Sequence, residues 1–174
     1  MFHLFRPRPT QLAGQRLHAA AVARARAPDL YIALGAPDTP AGRFELLSAH
    51  VYLLLARLKG QGPAATDTAQ ALFDTYVRGL DNALRELGVG DLSVGKKMRK
   101  LGEAFYGRIG AYEAAIAALP DETPLQDALR RTVYEGDAGI DPAPLAARLL
   151  AERAALAARP LEDLLAGEAG WPAP

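Results

Sequence analysis

Residues 88–108, "GVGDLSVGKKMRKLGEAFYGR", combine glycines, a serine and lysines at spacings that could do chemistry. Within them Gly90 to Lys97 reads G-x-x-x-x-G-K-K, one residue away from a nucleotide-binding phosphate loop. Such a loop joins a strand to a helix, cradles phosphate with backbone N–H groups and holds magnesium with a final Ser or Thr hydroxyl. Lys97 stands where that hydroxyl belongs, and an ammonium cannot ligate a cation. Helical spacing precedes the motif, so the strand is missing as well. The segment is expected to be a glycine turn between two helices rather than a nucleotide site.

Other candidate chemistry is weaker. "DLSVG" around Ser93 has Asp91 where a nucleophile elbow needs its first glycine. His3, His18 and His50 are not spaced to ligate a metal together. His50, set among leucines, is expected to be a hydrogen-bonded core histidine. Glu135, Asp137 and Asp141 in "EGDAGID" lack the spacing and terminal glutamate of a calcium loop, so a turn and a helix cap are expected there. Neither a catalytic residue nor a metal or cofactor site is expected.

One cluster does call for a partner. Lys96, Lys97, Arg99 and Lys100 fall near the start of a long helix, where the macrodipole disfavours cations. Together with the helix end they should attract anions, whether lipid headgroups, an acidic protein segment or RNA phosphate. Phe105 and Tyr106 are adjacent, so on a helix one should face the core and the other a partner.

The bulk of the chain limits the alternatives. Its 174 residues suit one domain. Twenty Lys and Arg balance twenty Asp and Glu, so overall charge gives no argument for a general nucleic-acid role. Cysteine is absent, excluding thiol chemistry and disulfides and suiting a reducing compartment. The longest uncharged helical stretch, 46–56, is far short of the ~20 residues of a membrane span. Arg6, Arg8, Arg16, Arg24 and Arg26 precede the first acid, Asp29; a basic helix of the domain is expected rather than a serine-rich transit peptide.

Apolar residues recur at helical spacing throughout, and no segment alternates with period two. Helices are expected over 11–26 (capped by Thr10), 40–59 (capped by Thr39, opened by Pro40), 65–87, 92–119, 125–136 and 142–158, with a short turn "LEDLLAG" after the last. The fold class is all-α: one bundle of about six helices with mostly antiparallel neighbours. Residues 1–10 are expected to be a flexible N-terminus, 11–168 the helical domain and 169–174 a C-terminal tail.

Three pieces, "PDTPAGRFELL", "LRELGVGDLSVGKKM" and "FYGR", in this order and spacing, resemble the ubiquinol–cytochrome c chaperone family, assembly factors of the cytochrome bc1 complex. The resemblance runs from about residue 16 to 119; the last third of the chain is less distinctive. It implies a helical, non-enzymatic chaperone that binds newly made cytochrome b or another bc1 subunit. A cytoplasmic location is expected, and the N-terminal arginines with the 96–100 cluster are expected to favour peripheral contact with an anionic inner-membrane surface. The family motifs map onto Arg43, Phe44 and Glu45, then Asp91, Gly95, Lys96 and Lys97, then Phe105, Tyr106 and Arg108. Phe44 is expected to be structural. The candidate partner-binding residues are thus Arg43, Glu45, Asp91, Lys96, Lys97, Arg99, Lys100, Tyr106 and Arg108. A helical adaptor for ribosome, RNA or another protein, using the same 96–100 basic cluster, is the competing reading.

Overall fold

A computed structural model describes residues 8–172, and these form an all-α domain with no strand among them. The helices are α1 (Pro9–Ala25), α2 (Pro28–Ile32), α3 (Pro40–Leu58), α4 (Pro63–Glu86), α5 (Asp91–Ala117), α6 (Thr123–Thr132), α7 (Ala143–Ala158) and α8 (Leu161–Leu165). Six are long and correspond to the expected set; α2 and α8 are single turns of five residues. Among the described residues no helix is long and apolar enough to cross a membrane.

The boundaries follow local chemistry. Thr39 caps α3 through its hydroxyl, which accepts from the Gly42 amide at 3.1 Å. At α7 the cap is Pro142, and Asp141 one residue before it closes an Asx turn into the helix, accepting from the Ala143 amide at 3.0 Å. Thr10, expected to cap α1, is instead inside it: Arg8 is the cap and Pro9 the first helical residue, the position where a missing N–H costs nothing. α6 stops at Thr132 rather than 136, because Glu135 and Gly136 take left-handed backbone at φ +51° and +82°. His3 and Arg6 lie outside the described residues.

α3 is the central element. Leu46, Ala49, His50, Val51, Leu53, Leu54 and Leu58 are all buried on it, so its apolar surface wraps most of the circumference, as a helix covered on several sides requires. α1 crosses α4 at Gly14, where an added Cβ would sit 2.5 Å from the Leu72 backbone nitrogen. The two backbones meet there without a side chain between them. Residues expected as a tail from 169 continue into the packing: Ala169 is buried, and the Trp171 indole N–H donates to the Ala20 carbonyl at 3.2 Å.

Candidate partner-binding surface

The α4–α5 junction is built by glycine. Gly88 has φ +79°, and two carbonyls near the end of α4 are satisfied by Gly88 N–H donating to Arg85 and Val89 N–H donating to Leu84. This is a Schellman closure, which needs a left-handed residue just past the helix end. Gly90 then precedes α5, and its carbonyl accepts from the amides of Ser93 and Val94. The backbone groups that a phosphate loop would aim at a ligand are therefore engaged in starting a helix. Arg85 fastens the turn, pairing with Asp81 at 2.7 Å and with Asp91.

α5 carries two opposed stripes. Val94, Met98, Leu101, Phe105, Arg108 and Tyr112 follow one another at alternating spacings of four and three and face the bundle, with Val94, Phe105 and Tyr112 buried. Leu92, Lys96, Arg99, Glu103 and Tyr106 have the same spacing on the opposite side, and all five are exposed. The expected division of the adjacent aromatics is present: Phe105 is 1% exposed and Tyr106 64%. Leu92 is fully exposed, as is most of Leu87 at the end of α4. Lys96, Lys97, Arg99 and Lys100 have no ion-pair partner among the described residues. Because α5 begins at Asp91, these cations occupy its second and third turns, where the macrodipole has already faded. Their outward placement, rather than a conflict with the dipole, is what marks them.

The remaining candidates divide by their surroundings. Arg43 is exposed and pairs locally with Asp38 at 2.6 Å. Glu45 and Arg108 are held by each other: Arg108 Nε donates to Oε2 at 3.0 Å and its terminal nitrogen to Oε1 at 2.7 Å. That hydrogen-bonded partner holds the Arg108 guanidinium above its ordinary pKa, against the opposing effect of burial. Phe44 is half-buried against the core. Behind the pair, Tyr76 on α4 shares a 2.8 Å hydrogen bond with Ser48 on α3. Burial raises the Tyr76 and Tyr112 hydroxyls well above the usual phenol range, so both remain neutral.

A second buried polar group was not legible in the sequence. Glu152 on α7 is fully buried, and Oε1 accepts from Arg24 of α1 at 2.6 Å and from Arg148 at 3.0 Å. Arg148 also reaches Asp29 of α2 at 2.9 Å. His50 of α3 places Nδ1 2.7 Å from the Leu46 carbonyl and Nε2 3.1 Å from Glu152 Oε2. That last contact sets the edge of the imidazole against the second carboxylate oxygen. Burial pushes the Glu152 carboxyl up, but His50 and Arg24 together outweigh it and hold the carboxyl below the usual range. The group ties four helices together. Its signal in the sequence is charge set inside two alanine-rich helices, Arg24 in "AAAVARA" and Glu152 beside Arg153 in "LLAERAAL".

Among the described residues no group of His, Asp and Glu is placed to hold a metal. Ser93 is exposed on the first turn of α5. What this region offers is a surface for contact.

Comparison with known proteins gives concordant results. The family described as ubiquinol–cytochrome C chaperone matches residues 33–171, extending well past the part in which the sequence resemblance is distinct. Ubiquinol-cytochrome-c reductase complex assembly factor 1 of Xenopus laevis is 25% identical over 123 residues, covering 71% of this chain and 60% of the relative. The chain thus spans less than two thirds of that protein's length. The crystal structure of the Cbp3 homolog from Brucella abortus superimposes with a TM-score of 0.86 at 38% identity, covering 95% of this chain and 91% of that one.

Proposed function

From the premise that this chain belongs to the ubiquinol–cytochrome C chaperone family, we propose that it is a non-enzymatic assembly chaperone for the cytochrome bc1 complex. Its client in this reading is newly made cytochrome b, engaged beside the membrane into which that subunit is built. The observation that carries the proposal is the family match, which runs through α3, α4 and α5 and includes the α4–α5 hairpin with its exposed stripe. Of the candidate residues, Lys96, Lys97, Arg99, Lys100 and Tyr106 are those available for contact. Glu45, Arg108 and Asp91 are engaged within the fold. The protein acts from the membrane surface, as a peripheral component.

Deleting the gene in its own host and measuring assembled bc1 complex tests the reading. Loss of the complex, restored by the intact gene, and recovery of cytochrome b with the tagged chain are the expected results. A fully assembled complex in the deletion strain would overturn it.

A further inference from the structure

Five large apolar side chains are left exposed among the described residues, and three of them, Leu87, Leu92 and Tyr106, lie on the α4–α5 hairpin. Leu92 and Tyr106 bracket the cations. Fourteen residues of helix separate them, about 21 Å along the axis. Between them the chain carries Lys96, Lys97, Arg99 and Lys100 against a single acid, Glu103. Asp91, the other carboxylate of this segment, is already paired with Arg85.

We propose that this outward face of α5 and the adjoining hairpin tip rest on an anionic lipid surface, with Leu87, Leu92 and Tyr106 entering the headgroup boundary and Lys96, Arg99 and the flanking Lys100 meeting lipid phosphates. The assignment rests on the reading of the chain as a chaperone for a membrane complex, and it names what that exposed stripe touches. Two features favour lipid over an acidic peptide. The stripe stands on the convex side of a helix whose opposite side packs on the bundle, whereas peptide recognition uses a groove or a sheet edge. Two concavities of the fold lie elsewhere, one near Tyr52 and Tyr112, the other between α5 and α6 beside Asp127. In addition, exposed apolar residues mixed with cations along one helix face are the chemistry of an interfacial helix. Lysine and arginine stems can lie along apolar surface while their heads reach phosphate.

Co-sedimentation of the purified full chain with vesicles tests this. Phosphatidylcholine vesicles are compared with vesicles in which about one third of the lipid is phosphatidylglycerol. The expected result is at least about tenfold stronger partitioning to the anionic vesicles, falling steeply as salt screens the charges. Lys96→Glu with Arg99→Glu should reduce it by about thirtyfold or more. Leu92→Ser with Tyr106→Ser should weaken it severalfold while leaving the salt dependence in place. All four positions are exposed, and an unchanged melting transition checks that the variants fold. Equal partitioning to the two vesicles, or an unaffected charge-reversal variant, would overturn the assignment. Binding of a glutamate-rich peptide without partitioning to vesicles would also overturn it, transferring the surface to an acidic protein partner. The assay contains only chain and lipid, so bc1 assembly lost on gene deletion alongside a negative vesicle result rejects the lipid contact alone.

Discussion

Arg108 grips Glu45 with two parallel hydrogen bonds, at 3.0 and 2.7 Å, across 63 residues of sequence. Glu45 is 6% exposed, so its carboxylate has no water to fall back on. Replacing Arg108 with Ala is expected to cost on the order of 3 kcal/mol, because it leaves a buried charge unpaired. Glu45→Gln with Arg108→Met should recover much of that loss. Urea denaturation of the single and double variants, read as a double-mutant cycle, measures the coupling. A coupling near zero would mean that the two residues act separately.

Glu152 gives a pH signature with a defined sign. Its carboxyl titrates below the ordinary value in the folded chain, the contacts with His50 and Arg24 outweighing burial. Such a group adds stability in full above the unfolded value, near 4.5, and the contribution is lost as pH falls through the lower folded value. The difference in unfolding free energy between wild type and Glu152→Gln should therefore be steady near neutrality and shrink below about pH 4.5. Urea titrations across that range provide the measurement. Glu152→Ala should be severe at neutral pH, about 3–5 kcal/mol, since it strands Arg24 inside the protein.

Two glycines should respond differently to the same change. At Gly88 a Cβ meets nothing within 4 Å, and only the φ of +79° opposes a side chain, so Gly88→Ala should cost about 1 kcal/mol. At Gly14 the Cβ would run into the Ala71 and Leu72 backbone at 2.5–2.7 Å. Gly14→Ala must push α1 from α4 and is expected to cost more, about 2–3 kcal/mol, despite the better helix propensity of alanine. Thermal melts of the two variants give the ranking.

Trp171 is the chain's one tryptophan, half-buried edge-on against His50 at 5.7 Å between ring centres. Its emission should red-shift when residues 169–172 detach. Trp171→Ala should lower stability by about 1–3 kcal/mol, less than a fully buried indole would. A fluorescence transition coinciding with the loss of helical circular dichroism would show that the C-terminal segment unfolds with the bundle.

The helices were legible because apolar spacing and caps are local: Thr39, Asp141 and the glycines after α4 act within a few residues of themselves. Helix ends were less legible where a backbone torsion decides, as at Glu135. Glu45 and Arg108 both stood out by motif, yet nothing in the chain announced that they hold each other, since their partnership exists only once α3 and α5 pack. The Glu152 group was hidden for the same reason. The exposed stripe on α5 was half visible: its cations could be read directly, but the exposure of Leu92 depends on how far α5 extends beyond its neighbours.

The pairing of Arg24 with Glu152 spans 128 residues, and this sets an order on events during synthesis. At roughly 5–20 residues per second, roughly 6–26 s pass between translation of the arginine and that of its acid. Once α4 (Pro63–Glu86) has followed, α1 can meet it, but the Arg24 guanidinium still lacks its Glu152 partner. The core around His50 therefore closes only after α7 has been made. Burying the Arg24 guanidinium beside its acid is a contribution of the last third of the chain.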